Sequence, residues 1–134
     1  MEVNPIIKAR VVIKGSRRVT EGNVLVDTGA TYSIIDEELA NEIGVKLLER
    51  PERILLRGIC CQIEGRLCVI DTLIIEDITV GPSVAVLTRL STEVKEILKS
   101  YEVLNTFILG LRDIVGFTID VKSGRLKWVG YLAL

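Results

Sequence analysis

The sequence predicts a mainly β domain carrying one or two short helices, and three observations predict it. Residues Ile6 to Ile13 alternate, with Ile7, Ala9, Val11 and Ile13 on one face and Lys8 and Arg10 on the other, the period of a half-buried strand. Apolar runs of strand length recur along the chain, separated by glycine-containing turns. Only two stretches carry helical spacing. The 134 residues fit one domain spanning 1–134, and Ile, Val and Leu fill 50 positions, enough apolar mass to close a core.

Taken in order, the first strand ends at Gly15-Ser16-Arg17-Arg18, which reads as a turn. A second strand runs through Val24-Leu25-Val26 into Asp27-Thr28-Gly29, where the glycine marks a sharp bend. Residues 36–43 read as a short helix, with Ser33 or Asp36 as cap, acidic residues early, Ile35, Leu39 and Ile43 as its stripe, and Gly44 past its end. Ile54 to Cys61 and Leu67 to Ile75 read as a hairpin turning at Glu64-Gly65. Asp77 to Leu87 reads as a further strand pair about Gly81-Pro82-Ser83. Ser91 to Val103 is the second helix, with Val94, Ile97, Leu98 and Tyr101 at helical spacing. Phe107 to Leu111 is apolar and bends at a glycine. Phe117 to Val121 and Leu126 to Tyr131 form a last hairpin about Lys122-Ser123-Gly124.

Composition excludes several chemistries. Seventeen basic against 18 acidic residues leave a net charge of −1, with no basic excess for a phosphate backbone, so no nucleic-acid partner is expected. The chain has no histidine. Ser–His and Cys–His catalysis within it are excluded, the commonest zinc ligand is missing, and acid–base work falls to Asp, Glu, Lys, Tyr or Cys. The three cysteines match no zinc spacing, and neither metal nor cofactor is expected. No run of apolar residues is long enough to span a membrane. The start Met1-Glu2-Val3-Asn4-Pro5 lacks the pattern of a signal peptide, so a cytoplasmic location is expected. A single glutamine, Gln62, among many charged residues suits a thermophilic source.

The sharpest feature is a carboxylate, Asp27, ending an otherwise apolar strand directly before a glycine. Burying a lone carboxylate costs several kcal/mol unless it gains partners. Thr28 offers a hydroxyl, and Gly29 lets backbone N–H groups approach. Asp27 reads either as a group held at the floor of a cleft or as a cap of its own turn. Read whole, Glu21 through Ile35, with Val24-Leu25-Val26-Asp27-Thr28-Gly29-Ala30-Thr31 at its centre, resembles the retropepsin-like aspartic proteases. Ile108-Leu109-Gly110 resembles that family's second signature, two apolar residues and a glycine. The order strand, Asp loop, helix, hairpin, helix, apolar-apolar-Gly and final hairpin covers nearly the whole chain.

The resemblance implies a closed, barrel-like single-lobed β fold with a flap hairpin, and an aspartic endopeptidase acting on a peptide or protein substrate. That chemistry uses two carboxylates sharing a proton and a water. The chain has one such loop, because Asp71-Thr72 is followed by Leu73 and reads as an exposed strand pair. A homodimer in which Asp27 meets its symmetry mate is therefore implied. Asp27 would be the catalytic acid–base. Thr28 would brace the two loops, and Gly29 would leave room near the scissile carbonyl. Ala30 lacks the hydroxyl of pepsin-like relatives, implying activity at milder acidity. Ile108, Leu109 and Gly110 would support the loop. The flap would place Cys61, Gln62, Ile63, Glu64, Gly65 and Leu67 near substrate, and the C-terminal apolar segment would serve the core, the dimer or both.

Two departures stand out. Thr31 follows Ala30 where retroviral relatives carry an acid, and Leu111 follows Gly110 where they carry a base, with Arg112-Asp113 one step later, so the retroviral brace between those positions cannot form. The helix at 91–103 is longer than such a protease needs and is expected outside the core. Cys61 or Cys60 would face Cys68 across the hairpin, depending on turn length, with buried free thiols the favoured state over a disulfide. Two other readings compete: a non-catalytic module of the same fold that binds a peptide or dimerises, and a small structural β domain in which the Asp loop is coincidental.

Overall fold

Alternation builds the first strand as expected. In the computed structural model, which describes residues 6–48, 54–57 and 62–130, β1 (Lys8–Lys14) buries Ala9, Val11 and Ile13 and turns Arg10 and Lys14 outward. The Gly15 N–H donates to the Arg18 carbonyl at 3.0 Å, and β2 (Val19–Val26) returns antiparallel from Lys14↔Val19 to Lys8↔Leu25. After the loop at 27–32 comes β3 (Ser33–Asp36), buried at all four positions. α1 (Glu37–Ile43) follows at once. Asp36 caps it by accepting the Glu38 N–H, and Gly44, at φ +80°, ends it.

β4 (Lys46–Leu47) and β5 (Ile54–Arg57) both pair with the long β6 (Gln62–Ile75). β7 (Ile78–Thr88) runs back along β6 and beside β3. α2 (Thr92–Ser100) is capped by Ser91, whose hydroxyl accepts the Val94 N–H. β8 (Phe107–Leu109) leads through Gly110 into a 3₁₀ turn at Leu111–Asp113, and β9 (Phe117–Asp120) and β10 (Arg125–Trp128) form the last hairpin.

Six strands pair in a ring, β1–β6–β7–β3–β8–β2 and back to β1, so the barrel is closed and leaves no free edge in the ring. β8 lies between β2, parallel to it at Val26↔Leu109, and β3, antiparallel at Ile34↔Ile108. One apolar cluster, including Val11, Ile13, Ile35, Leu73, Ile75 and Phe107, fills the inside. The alternate residues Leu25, Ile34, Val86 and Ile108 form a second cluster with Val94 and Leu98 of α2. β3, β8 and the end of β2 at Val24–Val26 are thus buried on both faces. Val94 is 2% exposed and Leu98 is fully buried, so α2 belongs to the core, contrary to the expectation that it lies outside. At about 1.5–3 kcal/mol per fully buried aliphatic side chain, the pair i, i+4 is what docks it.

Two turns fall elsewhere than the sequence suggests. β5 and β6 pair from Ile54↔Gly65 to Arg57↔Gln62, so their connection is 58–61 and Glu64-Gly65 is strand. Gly65 is there for close approach: a Cβ on it would lie 2.2 Å from Val86 Cγ1 and 2.9 Å from the Leu87 carbonyl oxygen. Cys68 accordingly stands opposite Ala85 and Leu47 and is a buried free thiol. Cys60 and Cys61 lie outside the described residues. Nor does the chain turn at Gly81-Pro82-Ser83. β6 and β7 join at Glu76-Asp77, both at positive φ (46° and 67°), the twist a tight hairpin requires. Gly81, at φ +88°, instead sits where the β6–β7 register shifts, a bulge within one continuous strand. Among the described residues no helix is long and apolar enough to cross a membrane.

Candidate active site

The apolar end of β2 delivers Asp27 to one end of the barrel. Its N–H donates to the Leu109 carbonyl at 2.9 Å, continuing the β2–β8 ladder by one rung. The chain then folds back tightly. The Gly29 N–H donates to Asp27 Oδ1 at 2.9 Å, and the Ala30 N–H donates to the Asp27 carbonyl at 3.1 Å. Asp27 is half-buried, Thr28 and Gly29 are exposed, and Ala30 is 3% exposed, so the loop rests on its alanine and presents its carboxylate and threonine. A Cβ on Gly29 would come within 3.2 Å of the carboxylate oxygen it now serves.

The second signature lies directly behind. Leu111 N–H donates to the Ala30 carbonyl at 2.8 Å and Arg112 N–H to the Thr31 carbonyl at 3.0 Å, so the chain after Gly110 is laced to the Asp loop. Gly110 presses on the backbone of Tyr32: a Cβ there would lie 2.3 Å from the Tyr32 carbonyl oxygen and 2.8 Å from the Ser33 nitrogen. Ile108 and Leu109 are buried on opposite faces, Ile108 toward α2 and Leu109 toward the barrel. The supporting residues expected from the sequence, Ile108, Leu109 and Gly110, are therefore brought together with Asp27, Thr28, Gly29 and Ala30.

The sequence reading missed what replaces the absent brace. Ser33, fully buried, accepts the Gly110 N–H at 3.0 Å and donates its own proton to Asp113 Oδ2. Ser83, from the β7 bulge, lies 2.9 Å from both oxygens of the same carboxylate. Burial pushes the Asp113 carboxyl above the ordinary aspartate range, against the opposing pull of the Ser33 and Ser83 hydroxyls and the Arg112 charge. Arg112 itself lies 4.9 Å over the Tyr32 ring and donates to its hydroxyl at 3.1 Å. The one signal available was Arg112-Asp113, displaced by a residue from the family position. Ser83 gave none, since only the β7 register brings it across.

Gln62, Ile63 and Glu64 pair with β5, Gly65 packs beneath β7, and Leu67 stands opposite Val86 and packs on the second cluster. Cys61 lies outside the described residues. Asp71 is exposed on β6. Among the described residues no three His, Cys, Asp or Glu side chains stand together as a metal site.

A family model described as aspartyl protease matches residues 9–112. Among solved structures the chain is similar to a retroviral protease, that of EIAV complexed with the inhibitor HBY-793, at 19% identity and a TM-score of 0.49, over 85% of this chain and 86% of that one. No curated protein matches it.

Proposed function

The chain belongs to the aspartyl protease family, and on that premise we propose that it is an endopeptidase whose reacting group is Asp27, paired with the Asp27 of a second copy. The observation that carries the reading is the Asp27 loop. A carboxylate is pinned at one oxygen by the Gly29 N–H, while its backbone is locked to Leu109 and the loop behind it to Leu111 and Arg112. Such fixing is what positioned acid–base chemistry needs. The loop occurs once in the chain, so the second carboxylate comes from a twofold mate.

In that dimer one carboxylate takes a proton from the attacking water, and the other, protonated, polarises the peptide carbonyl. The proton then passes to the leaving amine. Thr28, exposed beside Asp27, faces the partner loop and braces it, and Gly29 keeps the approach to the carbonyl open. The β5–β6 hairpin, with Gln62, Ile63 and Glu64 on its return strand, is the flap that closes over an extended peptide. Gly65 and Leu67 anchor it to the barrel wall.

The test is mass-spectrometric mapping of cleavage in a mixed peptide library from about pH 3 to pH 7, comparing wild type with Asp27→Asn. Cleavage by wild type alone supports the reading and reports the side-chain preference. No cleavage from folded, dimeric wild type points to a module that binds peptides without cutting them. Equal cleavage by both removes Asp27 from the chemistry.

A further inference from the structure

Asp113 has no part in the chemistry just described, yet the fold takes trouble to enclose it. It sits in the 3₁₀ turn after β8, lines a cavity of about 190 Å³ with Val80, Pro82, Val84, Arg112 and Val115, and is met by hydroxyls from two other elements, Ser33 of β3 and Ser83 of β7. Ser33 is the pivot. Its oxygen accepts the Gly110 N–H while its proton goes to Asp113. Gly110 in turn precedes the two residues that lace the Asp27 loop at Ala30 and Thr31. We propose that Asp113 is a positioning residue for the Asp27 loop: its charge state sets which way the Ser33 hydroxyl points, and through Ser33 it sets the hold on Gly110.

The reason lies in the inventory of donors. An ionised carboxylate only accepts, so both serine protons turn toward it, and the Ser33 lone pairs are left facing the Gly110 N–H. A protonated carboxyl must also donate, and a serine hydroxyl has to give up its donor role to receive that proton. A chain of hydrogen bonds in a desolvated place transmits such a reversal, because each bond polarises the next.

The surroundings leave Asp113 in control. Arg112 is the charged group acting on it, and its guanidinium is engaged with Tyr32. From β7 the neighbours are Val80, Pro82, Ser83 and Val84, and from β3 Ser33. On β6, Ile70 stands opposite Ser83, and the adjacent Asp71 is exposed. Burial lifts the Asp113 carboxyl above the usual aspartate value, so the folded chain takes up this proton at a pH where an exposed aspartate stays charged. The hold on the loop then changes at a higher pH than the titration of an exposed aspartate would give.

The kinetic consequence rests on Asp27 being the reacting group, so the test begins with a readout that does not. In an Asp27→Asn background the amide resonance of Gly110 is followed by NMR from about pH 3 to pH 7. It is expected to titrate with a midpoint above about 4, the ordinary aspartate value. The titration should vanish in Asp113→Asn, and Ser83→Ala, by removing a donor to the charged form, should move the midpoint upward. With Asp27 restored, kcat on a cleaved peptide should fall through the same midpoint while KM changes little, and Asp113→Asn should flatten that acid limb. A Gly110 amide that does not titrate, or that titrates unchanged in Asp113→Asn, overturns the proposal. Should Asp113→Asn fail to fold, Ser83→Ala decides, and a midpoint unmoved or lowered overturns it. If the amide behaves as expected and no variant cleaves peptide, the tether stands and the protease reading fails.

Discussion

Replacing Gly110 by alanine is the most direct probe of how the two signatures are joined. The added Cβ would lie 2.3 Å from the Tyr32 carbonyl oxygen, 2.4 Å from its carbonyl carbon and 2.8 Å from the Ser33 nitrogen, all backbone atoms. That backbone is held on both sides, by the Arg112 N–H on the Thr31 carbonyl and by the buried β3 ladder. Something must shift by more than half an ångström, and overpacking of that kind costs about 1–3 kcal/mol, with the upper end expected where no side chain can yield. Gly22→Ala is the internal comparison. The atoms nearest its Cβ would be the branched end of Leu104, at 3.0–3.3 Å, which can rotate aside. With a urea m-value near 2 kcal/mol/M, Gly110→Ala should lower the unfolding midpoint by roughly 1.5 M, and Gly22→Ala by well under half of that. Far-UV circular dichroism in urea reads both, at one fixed protein concentration because any dimer couples stability to it. Equal losses in the two variants would refute the reasoning, since they would mean that the Tyr32 backbone gives way as easily as a leucine side chain.

The remaining predictions concern the cap of α1, the buried thiol and the Asp27 loop. Asp36 is 1% exposed, caps α1 through the Glu38 N–H, accepts the Leu90 N–H at 2.8 Å and pairs with Lys95 at 3.1 Å. Asp36→Ala should therefore cost about 2–4 kcal/mol in chemical denaturation, a lost cap plus a buried donor left unpaired, and a loss under about 1 kcal/mol would show that water or rearrangement replaces it. Burial pushes the Cys68 thiol up to about 11 from an ordinary value of 9.0. Native protein at about pH 8 should leave Cys68 unalkylated by iodoacetamide while unfolded protein labels it, as peptide mass mapping would show. The same shift predicts a contribution to stability that is complete below about pH 9 and is lost as the pH rises toward about 11, because the unfolded thiol ionises first. Asp27→Asn should abolish cleavage without lowering stability by more than about 1 kcal/mol, since a half-exposed polar swap removes no core contact.

Much of this molecule was written locally. The alternation at 6–13 fixed which face of β1 is buried, the acidic start and the glycine end of α1 stand where Asp36 and Gly44 put them, and the α2 stripe at Val94 and Leu98 is the face that packs. The motif from Glu21 to Ile35, with Ile108-Leu109-Gly110, identified the aspartyl protease family that the match over residues 9–112 bears out. These signals depend on period, caps and a short run of residues, all of which act within a few positions.

Only the closed barrel decided the rest. Gly65 reads as a turn glycine until Val86 and Leu87 of β7 are laid over it, and Gly81-Pro82-Ser83 reads as a turn until the β6 register makes it a bulge. The second helix seemed superfluous because its stripe finds its partners, Leu25, Ile34, Val86 and Ile108, on four different strands that only the closed barrel sets side by side. Ser33, Ser83 and Asp113 come from three elements, and no spacing announces that their side chains meet. The physical reason is the same in each case. Local sequence sets the conformation of a segment, whereas close approach, burial and the partner of a polar group are set by which strands lie side by side, and that is a property of the whole chain closing on itself.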